Sequence, residues 1–265
     1  MTLPLRFAVL ALAAALAAAC GGQRNQVPPA SAQADQFLFD RGSEQLKEKR
    51  WLQAREYFRQ IVDNYPQSPY RPDAKLAVGD TYIGEHTTES LVLAVNEFRE
   101  FLTFYPTSPR ADYAQYRLAW ALAEQMLAAE RDQTNTREAV KELQVFMDRY
   151  PNSAIMPEAR ALHRKAKDRL SEASYRVGLF YYRSRWYTGA VDRFKEVLRN
   201  DPEYTDRDAV YFYLAESLLR LNTEASKAEA LPYFERLLKE FERSSYLQDA
   251  RRRVEELKGA SGAQR

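Results

Sequence analysis

One residue of this 265-residue chain is placed for covalent chemistry. Cys20 is its only cysteine, and it directly follows Ala17, Ala18 and Ala19 at the end of an apolar run over residues 7–19. The run, with Arg6 ahead of it, has the proportions of a secretory signal and falls short of the ~20 apolar residues that a spanning helix needs. A lone thiol at such a boundary invites acylation after cleavage, and without a second cysteine the chain forms no internal disulfide. The remaining candidates for chemistry lack company. His86 and His163 are the only histidines, and neither has a His, Cys or acidic partner at metal-ligand spacing. There is no Gly-rich phosphate loop and no GxSxG elbow. The 39 Lys and Arg balance 37 Asp and Glu to a formal +2 with no basic stripe, so nucleic acid is not an expected partner. These features argue against an enzyme and against a bound metal or cofactor.

What the chain offers instead is a repeated scaffold. AREYFRQIVDNYPQSP over residues 54–69 returns as AVNEFREFLTFYPTSP from Ala94, AVKELQVFMDRYPNS from Ala139, AVDRFKEVLRNDPEY from Ala190 and ALPYFERLLKEFERSS from Ala230. In each copy a small Ala is followed four residues later by Phe58, Phe98, Leu143, Phe194 or Phe234, a spacing that puts both on one helix face. Pro66, Pro106, Pro151 and Pro202 then stop the first four helices, since Pro lacks an N–H and biases its predecessor away from the helical region. Gly42 and Gly178 lie 12 residues ahead of Ala54 and Ala190, and Gly79 and Ala119 hold the same small-residue position with longer turns behind them. That is the tetratricopeptide pattern, and it predicts an all-α helical solenoid of about five repeats with a C-terminal capping helix.

The domain plan follows. Residues 1–19 read as the signal and residues 20–34, rich in Gly, Pro, Ser and Gln, as a lipidated flexible tether. Repeats one to three occupy residues 35–155. Residues 156–258 hold a long connecting helix, repeats four and five and the capping helix, and residues 259–265 form a disordered tail. Helices are expected over residues 35–49, 51–64, 71 onward, 91–105, 110–129, 137–150, 156–183, 186–200, 207–221, 227–241 and 246–258. Arg251, Arg252 and Arg253 suit a polar capping face. Projected from the small residue of each first helix, the concave, peptide-holding surface takes Phe39 and Ser43, then Leu76 and Asp80, then Tyr113, Tyr116 and Trp120, with the aromatics as anchors.

Several segments carry a resemblance. Residues 17–20 resemble the lipobox of bacterial lipoproteins, with Leu16 one place early; the ordinary alternative is a signal peptide that happens to be cleaved before a Cys. RDQTNTREA over residues 131–139, followed by FMDRYPNS over residues 146–153, resembles the BamD (ComL-like) family, the lipoproteins of the outer-membrane β-barrel assembly machinery. That resemblance implies a diacylglycerol thioether and an N-terminal acyl chain such as palmitate on Cys20. With Gly21 rather than Asp next, it also implies export to the periplasmic face of the outer membrane. It further implies a non-catalytic scaffold whose C-terminal repeats bind a BamA-like barrel-forming subunit, with Arg193 of AVDRF near that docking surface. The N-terminal repeats would receive the C-terminal segment of unfolded outer-membrane proteins, and other assembly-machinery lipoproteins would be further partners. Glu242 stands where a fifth terminal Pro would be, a departure at the C-terminal end. The alternative is a periplasmic tetratricopeptide adaptor for cell-division or peptidoglycan-related envelope complexes.

Overall fold

A computed structural model describes residues 33–262 as helices joined by short turns; the signal, Cys20 and most of the tether lie outside the described residues. In chain order the helices are α1 (Ala34–Lys47), α2 (Trp51–Asn64), α3 (Arg71–Glu85), α4 (Thr88–Phe104), α5 (Ala111–Ala123), α6 (Thr134–Arg149), α7 (Met156–Arg183), α8 (Tyr187–Asn200), α9 (Arg207–Leu221), α10 (Glu224–Glu240) and α11 (Leu247–Gly262). The chain divides into two compact units, Met1–Thr81 and Tyr82–Arg265.

In both units the repeat positions form the core. Ala54, Ala94, Ala139, Ala190 and Ala230 are 0 % exposed, and their partners four residues on, from Phe58 to Phe234, are at most 1 % exposed. In the first unit α1 packs on α2 through Leu38, Gly42, Phe58 and Ile61. A Cβ on Gly42 would stand 2.7 Å from the Phe58 ring. In the second unit successive helices pack in order from α4 to α11. A Cβ on Gly178 of α7 would stand 2.6 Å from the Phe194 ring of α8. Neither glycine has a positive φ, so each is present for close approach rather than for backbone freedom.

The turns explain the serine of YPxSP. Ser153 donates to Asp112 at 2.6 Å, Ser244 to Asp208 at 2.6 Å, and Thr205 to Asp168 at 2.8 Å. Each bond runs from the turn after a second helix back to the first helix of the same repeat. Ser68, Ser108, Ser153 and Ser244 also accept the backbone N–H two residues on, turning the chain into its next helix.

Helix ends differ from the sequence reading where capping was not anticipated. α4 and α10 start at Thr88 and Glu224, three residues before the expected Leu91 and Lys227. Thr87 with Ser90 and Thr223 with Ser226 close reciprocal capping boxes, which satisfy the orphan N–H groups of the first turn. α5 ends at Ala123 rather than residue 129, and α6 begins at Thr134. α11 continues to Gly262, so helix occupies positions assigned to a disordered tail. Arg253 is not part of a purely polar cap. Its guanidinium pairs with the buried Glu216 of α9 at 2.6 and 3.1 Å, fastening α11 to repeat five.

Repeat four has its own fastening. Asp201 sits where repeats one to three have Tyr65, Tyr105 and Tyr150, and it is 2 % exposed. Arg164 of α7 donates to both carboxylate oxygens, one of them at 3.0 Å, and Ser171 donates at 2.6 Å. Burial pushes the Asp201 carboxyl up, but the hydrogen bonds from Arg164 and Ser171 outweigh it and hold the group below the usual carboxylate range.

Two outcomes are expected. Gly178→Ala gains helix propensity of up to ~1 kcal/mol. It also drives a methyl into a ring hemmed by Tyr175 and Tyr213, an overpacking that costs about 1–3 kcal/mol. The urea midpoint should therefore fall, while Gly259→Ala, in open space, should not lower it. Asp201→Asn should lose the ionic part of stability. Because the folded carboxyl is depressed, that part is full above the ordinary value near ~4 and fades as pH drops through the folded one. The gap between wild type and variant in urea unfolding should be constant from neutral pH down to about pH 5 and narrow below it. A gap that widens in acid would refute the assignment.

Candidate partner-binding surfaces

The predicted concave residues separate by their offset from the small residue. Phe39, Leu76 and Tyr116 each lie three positions before Gly42, Gly79 or Ala119, which places them on the packed side of the helix. Phe39 is half-buried, edge-on to Phe58 at 5.7 Å and stacked on Tyr70 at 5.1 Å. Leu76 is 1 % exposed and is core, so it is withdrawn as a groove residue. Tyr116 meets Phe146 edge-on at 6.1 Å, and burial raises its phenol pKa. Residues one position after the small residue look outward instead: Ser43, Asp80 and Trp120 are all partly exposed.

In the second unit a connected surface remains on α5. Tyr113, Arg117 and Trp120 follow one another at helical spacing, with the Arg117 guanidinium 5.7 Å from the Tyr113 ring and 5.3 Å from the Trp120 ring. The Arg110 guanidinium also lies over the Tyr113 ring, at 4.8 Å. His86, at φ 54°, closes α3 so that its ring stands 6.1 Å from Trp120 and its Nε2 lies 3.0 Å from Glu124 Oε2. The structure thus joins Tyr113 to Trp120 through Arg117 and turns Tyr116 away. Arg117 escaped the sequence reading, although two aromatics spaced seven apart with an Arg between them signal it.

A second surface surrounds Arg193. A cavity of about 670 Å³ opens between the 129–137 segment, α7 and α8, with Arg131, Arg137, Arg176, Phe180 and Arg193 on its walls. Arg193 is exposed and holds Glu196 at 2.9 Å. Arg176 bridges Glu130 at 2.5 Å and Glu172 at 2.7 Å, tying the loop to α7. Beside them Phe180 is 65 % and Trp186 56 % exposed, large values for aromatic side chains.

The RDQT stretch builds the rim of that cavity. Gln133 is 5 % exposed; its amide donates to Ala128 O at 2.7 Å and Arg131 O at 3.1 Å, and it accepts from the buried Thr136 hydroxyl at 2.8 Å. Asp132 accepts the Thr134 N–H at 3.1 Å and its hydroxyl at 3.0 Å, so its carboxyl lies below the ordinary value, chiefly through the backbone bond. Gln and Thr serve here as a clasp, and they leave Arg131 and Arg137 facing outward.

Residues 31–231 match the YfiO family model, described as outer membrane lipoprotein. The chain belongs to this family. Among family relatives, a Caulobacter vibrioides protein named outer membrane protein assembly factor BamD is 29 % identical over 199 residues, covering 74 % of this chain and 64 % of its own length. The protein of the same name from Pasteurella multocida is 25 % identical over 241 residues, covering 85 % and 88 %. The chain spans 64 % of the Caulobacter relative and 60 % of one from Xylella fastidiosa. Among solved structures, the TPR2AB domain of yeast Sti1 in its pHSP90 complex superposes with a TM-score of 0.50 at 13 % identity, covering 87 % of this chain and 85 % of that one. That likeness shows the tetratricopeptide fold alone. The family match takes in the clasp, the α5 ladder and the Arg193 cavity, while Cys20 and α11 fall outside it.

Gln133→Ala should leave the buried Thr136 hydroxyl without its acceptor and remove the amide's bonds to the Ala128 and Arg131 carbonyls, the first of which still accepts the Arg131 N–H, at a cost of about 1–3 kcal/mol. Hydrogen exchange should accelerate in residues 128–136 and remain unchanged in α9 and α10. Uniform acceleration would instead mean that the clasp supports the whole unit.

Proposed function

We propose that this protein is a non-catalytic scaffold and substrate receptor of outer-membrane β-barrel assembly, held at the periplasmic face of the outer membrane by acylated Cys20. The observation that carries the reading is the family match, which runs unbroken across both exposed surfaces of the second unit. A BamA-like barrel-forming subunit docks at the arginine cavity, where Arg193 meets an acidic patch and Phe180 supplies apolar area. The C-terminal segment of an unfolded outer-membrane protein lies on the Tyr113–Arg117–Trp120 ladder. An aromatic side chain of that segment stacks on the rings, and its terminal carboxylate pairs with Arg117. Other assembly-machinery lipoproteins use the remaining surface.

The ladder lies on α5 of repeat three and Arg193 on α8 of repeat four, and a change confined to an exposed side chain of a repeat protein acts mainly within its own repeat and its packed neighbours. Tyr113→Ala with Trp120→Ala should weaken binding of a peptide from a β-barrel C-terminus by ~2 kcal/mol or more, as anchor truncations do, and leave BamA co-purification intact. Arg193→Glu should do the reverse, because like charges at a docking surface repel. Circular dichroism confirms that each variant is folded. If both variants lose both partners equally, the division of labour is wrong.

A further inference from the structure

The arginine cavity does not end at Ser174. A second, narrower cavity of about 180 Å³ shares that residue and continues between α6 and α8, bounded by Val140, Leu170, Val197, Asn200 and Asp201. Leu170, Ser174, Val177 and Tyr181 fall at spacings of four, three and four along α7, which sets them on one face. That face is a common floor for both cavities. One groove therefore runs along α7, with the ends of α6 and α8 as its walls. Its two ends differ in chemistry.

The wide end is cationic. Four arginines, Arg131, Arg137, Arg176 and Arg193, face Glu130 and Asp132 there. Arg176 and Arg193 are held by ion pairs with Glu130, Glu172 and Glu196, whereas Arg131 and Arg137 make no ion pair among the described residues. The narrow end has apolar walls in Val140, Leu170 and Val197 and is polar at its base, through Ser171, Asn200, Asp201 and Lys167, whose Nζ lies 3.7 Å from Asp201 Oδ1. Its base is closed, since Asp201 is already engaged by Arg164 and Ser171. It accepts one large side chain with an apolar body, and a phenol suits the polar base.

We infer that the groove along α7 binds a single extended segment of a partner protein that carries an acidic residue and a large apolar or aromatic one. The acidic residue sits against Arg131 and Arg137, and the large side chain fills the narrow cavity. The spacing between them is set by α7. Leu170 and Val177–Phe180 are seven to ten residues apart, which is about 10–15 Å along the helix. An extended chain covers that distance in about three or four residues. The specificity rule is therefore an acidic residue and a Tyr-like residue three or four apart. The inference rests on the docking reading above, to which it adds the shape and sequence of the docked segment.

Photo-crosslinking in cells tests it with the full-length chain. A benzoylphenylalanine probe replaces the exposed Phe180 of the wide end, or Arg199, an exposed neighbour of the narrow end that lines neither cavity, so the arginines and the narrow cavity stay intact. Both probes should react with the barrel-forming subunit, and peptide mapping should place the two products within about four residues of each other, with an acidic residue at or beside the Phe180 product. Arg193→Glu should reduce both products at least tenfold. Reaction with the barrel-forming subunit from Phe180 alone, or products scattered over distant segments, would overturn the groove and leave the docking reading standing. Two products on one short acidic and aromatic stretch of a different protein would retain the groove and overturn the docking reading. No product from either position would sink both.

Discussion

Everything in this fold depends on how closely two helices of one repeat can approach. The Phe194 ring occupies the space that a Cβ of Gly178 would need, and Phe58 does the same at Gly42. A ring seated on bare backbone gains dispersion contacts over its whole face. It can be seated only if the facing residue is small and if the Ala four residues earlier leaves room beside it. Those requirements fix three positions per repeat and little else. Repeat three satisfies them with Ala119 facing a buried Leu143, and Phe146, three residues further along α6, fills the remaining volume. The core is thus a set of short-range agreements, each made within a repeat or with its neighbour.

Repeat four shows what happens when one agreement changes. In repeats two and three a Tyr before the Pro packs on the buried Phe one turn earlier, Tyr105 on Phe101 at 5.2 Å and Tyr150 on Phe146 at 5.8 Å. In repeat four the same two positions are Val197 and Asp201. The volume of the missing ring is taken by polar groups from α7, and a buried carboxylate with a charged donor replaces the aromatic pair. A buried ion pair is weak as a source of net stability but costly to break from one side. It therefore specifies one register of α8 against α7. Glu216 and Arg253 do the same for α9 and α11. Repeat three has a pair of the same kind, the buried Gln115 of α5 donating to Glu142 of α6 at 2.7 Å.

The sequence made the repeat core legible because its positions are periodic and their residue types are narrow. Alanine and phenylalanine at fixed offsets leave no freedom about which face is inside. The long α7 was equally legible, since residues 156–183 hold no internal breaker. The outward face was harder to read. Projecting it from the small residue gave three offsets, and the one just after that residue and the one six before it, at Tyr113, carry the outward side chains. The offset of minus three faces the packed side, which is why Leu76 is buried and Phe39 and Tyr116 lean on Phe58 and Phe146. Residues whose roles depend on a partner far along the chain were not readable at all. Gln133 looked like part of a family signature rather than a clasp, and Arg253 looked like one of three surface arginines.

Overall charge does not locate charge. A formal +2 describes the balance of the whole chain and not where its cations stand. Much of the acid and base is spent in local pairs such as Arg252 with Asp249 and Lys227 with Glu224, which solvent screens and which contribute little beyond solubility. What matters for recognition is the charge left over after such pairs cancel, and where the fold puts it. Arg131 and Arg137 remain because Gln133 and Thr136 turn inward to bond each other and the loop backbone. Asp132, the acid between them, keeps its charge, its carboxyl held below the ordinary value first by the Thr134 backbone bond and further by Arg137. The number of arginines sets the sign of that surface, and the hydrogen bonds that close the loop fix where they stand. A loop that folds by spending its neutral polar groups on itself leaves its arginines for a partner.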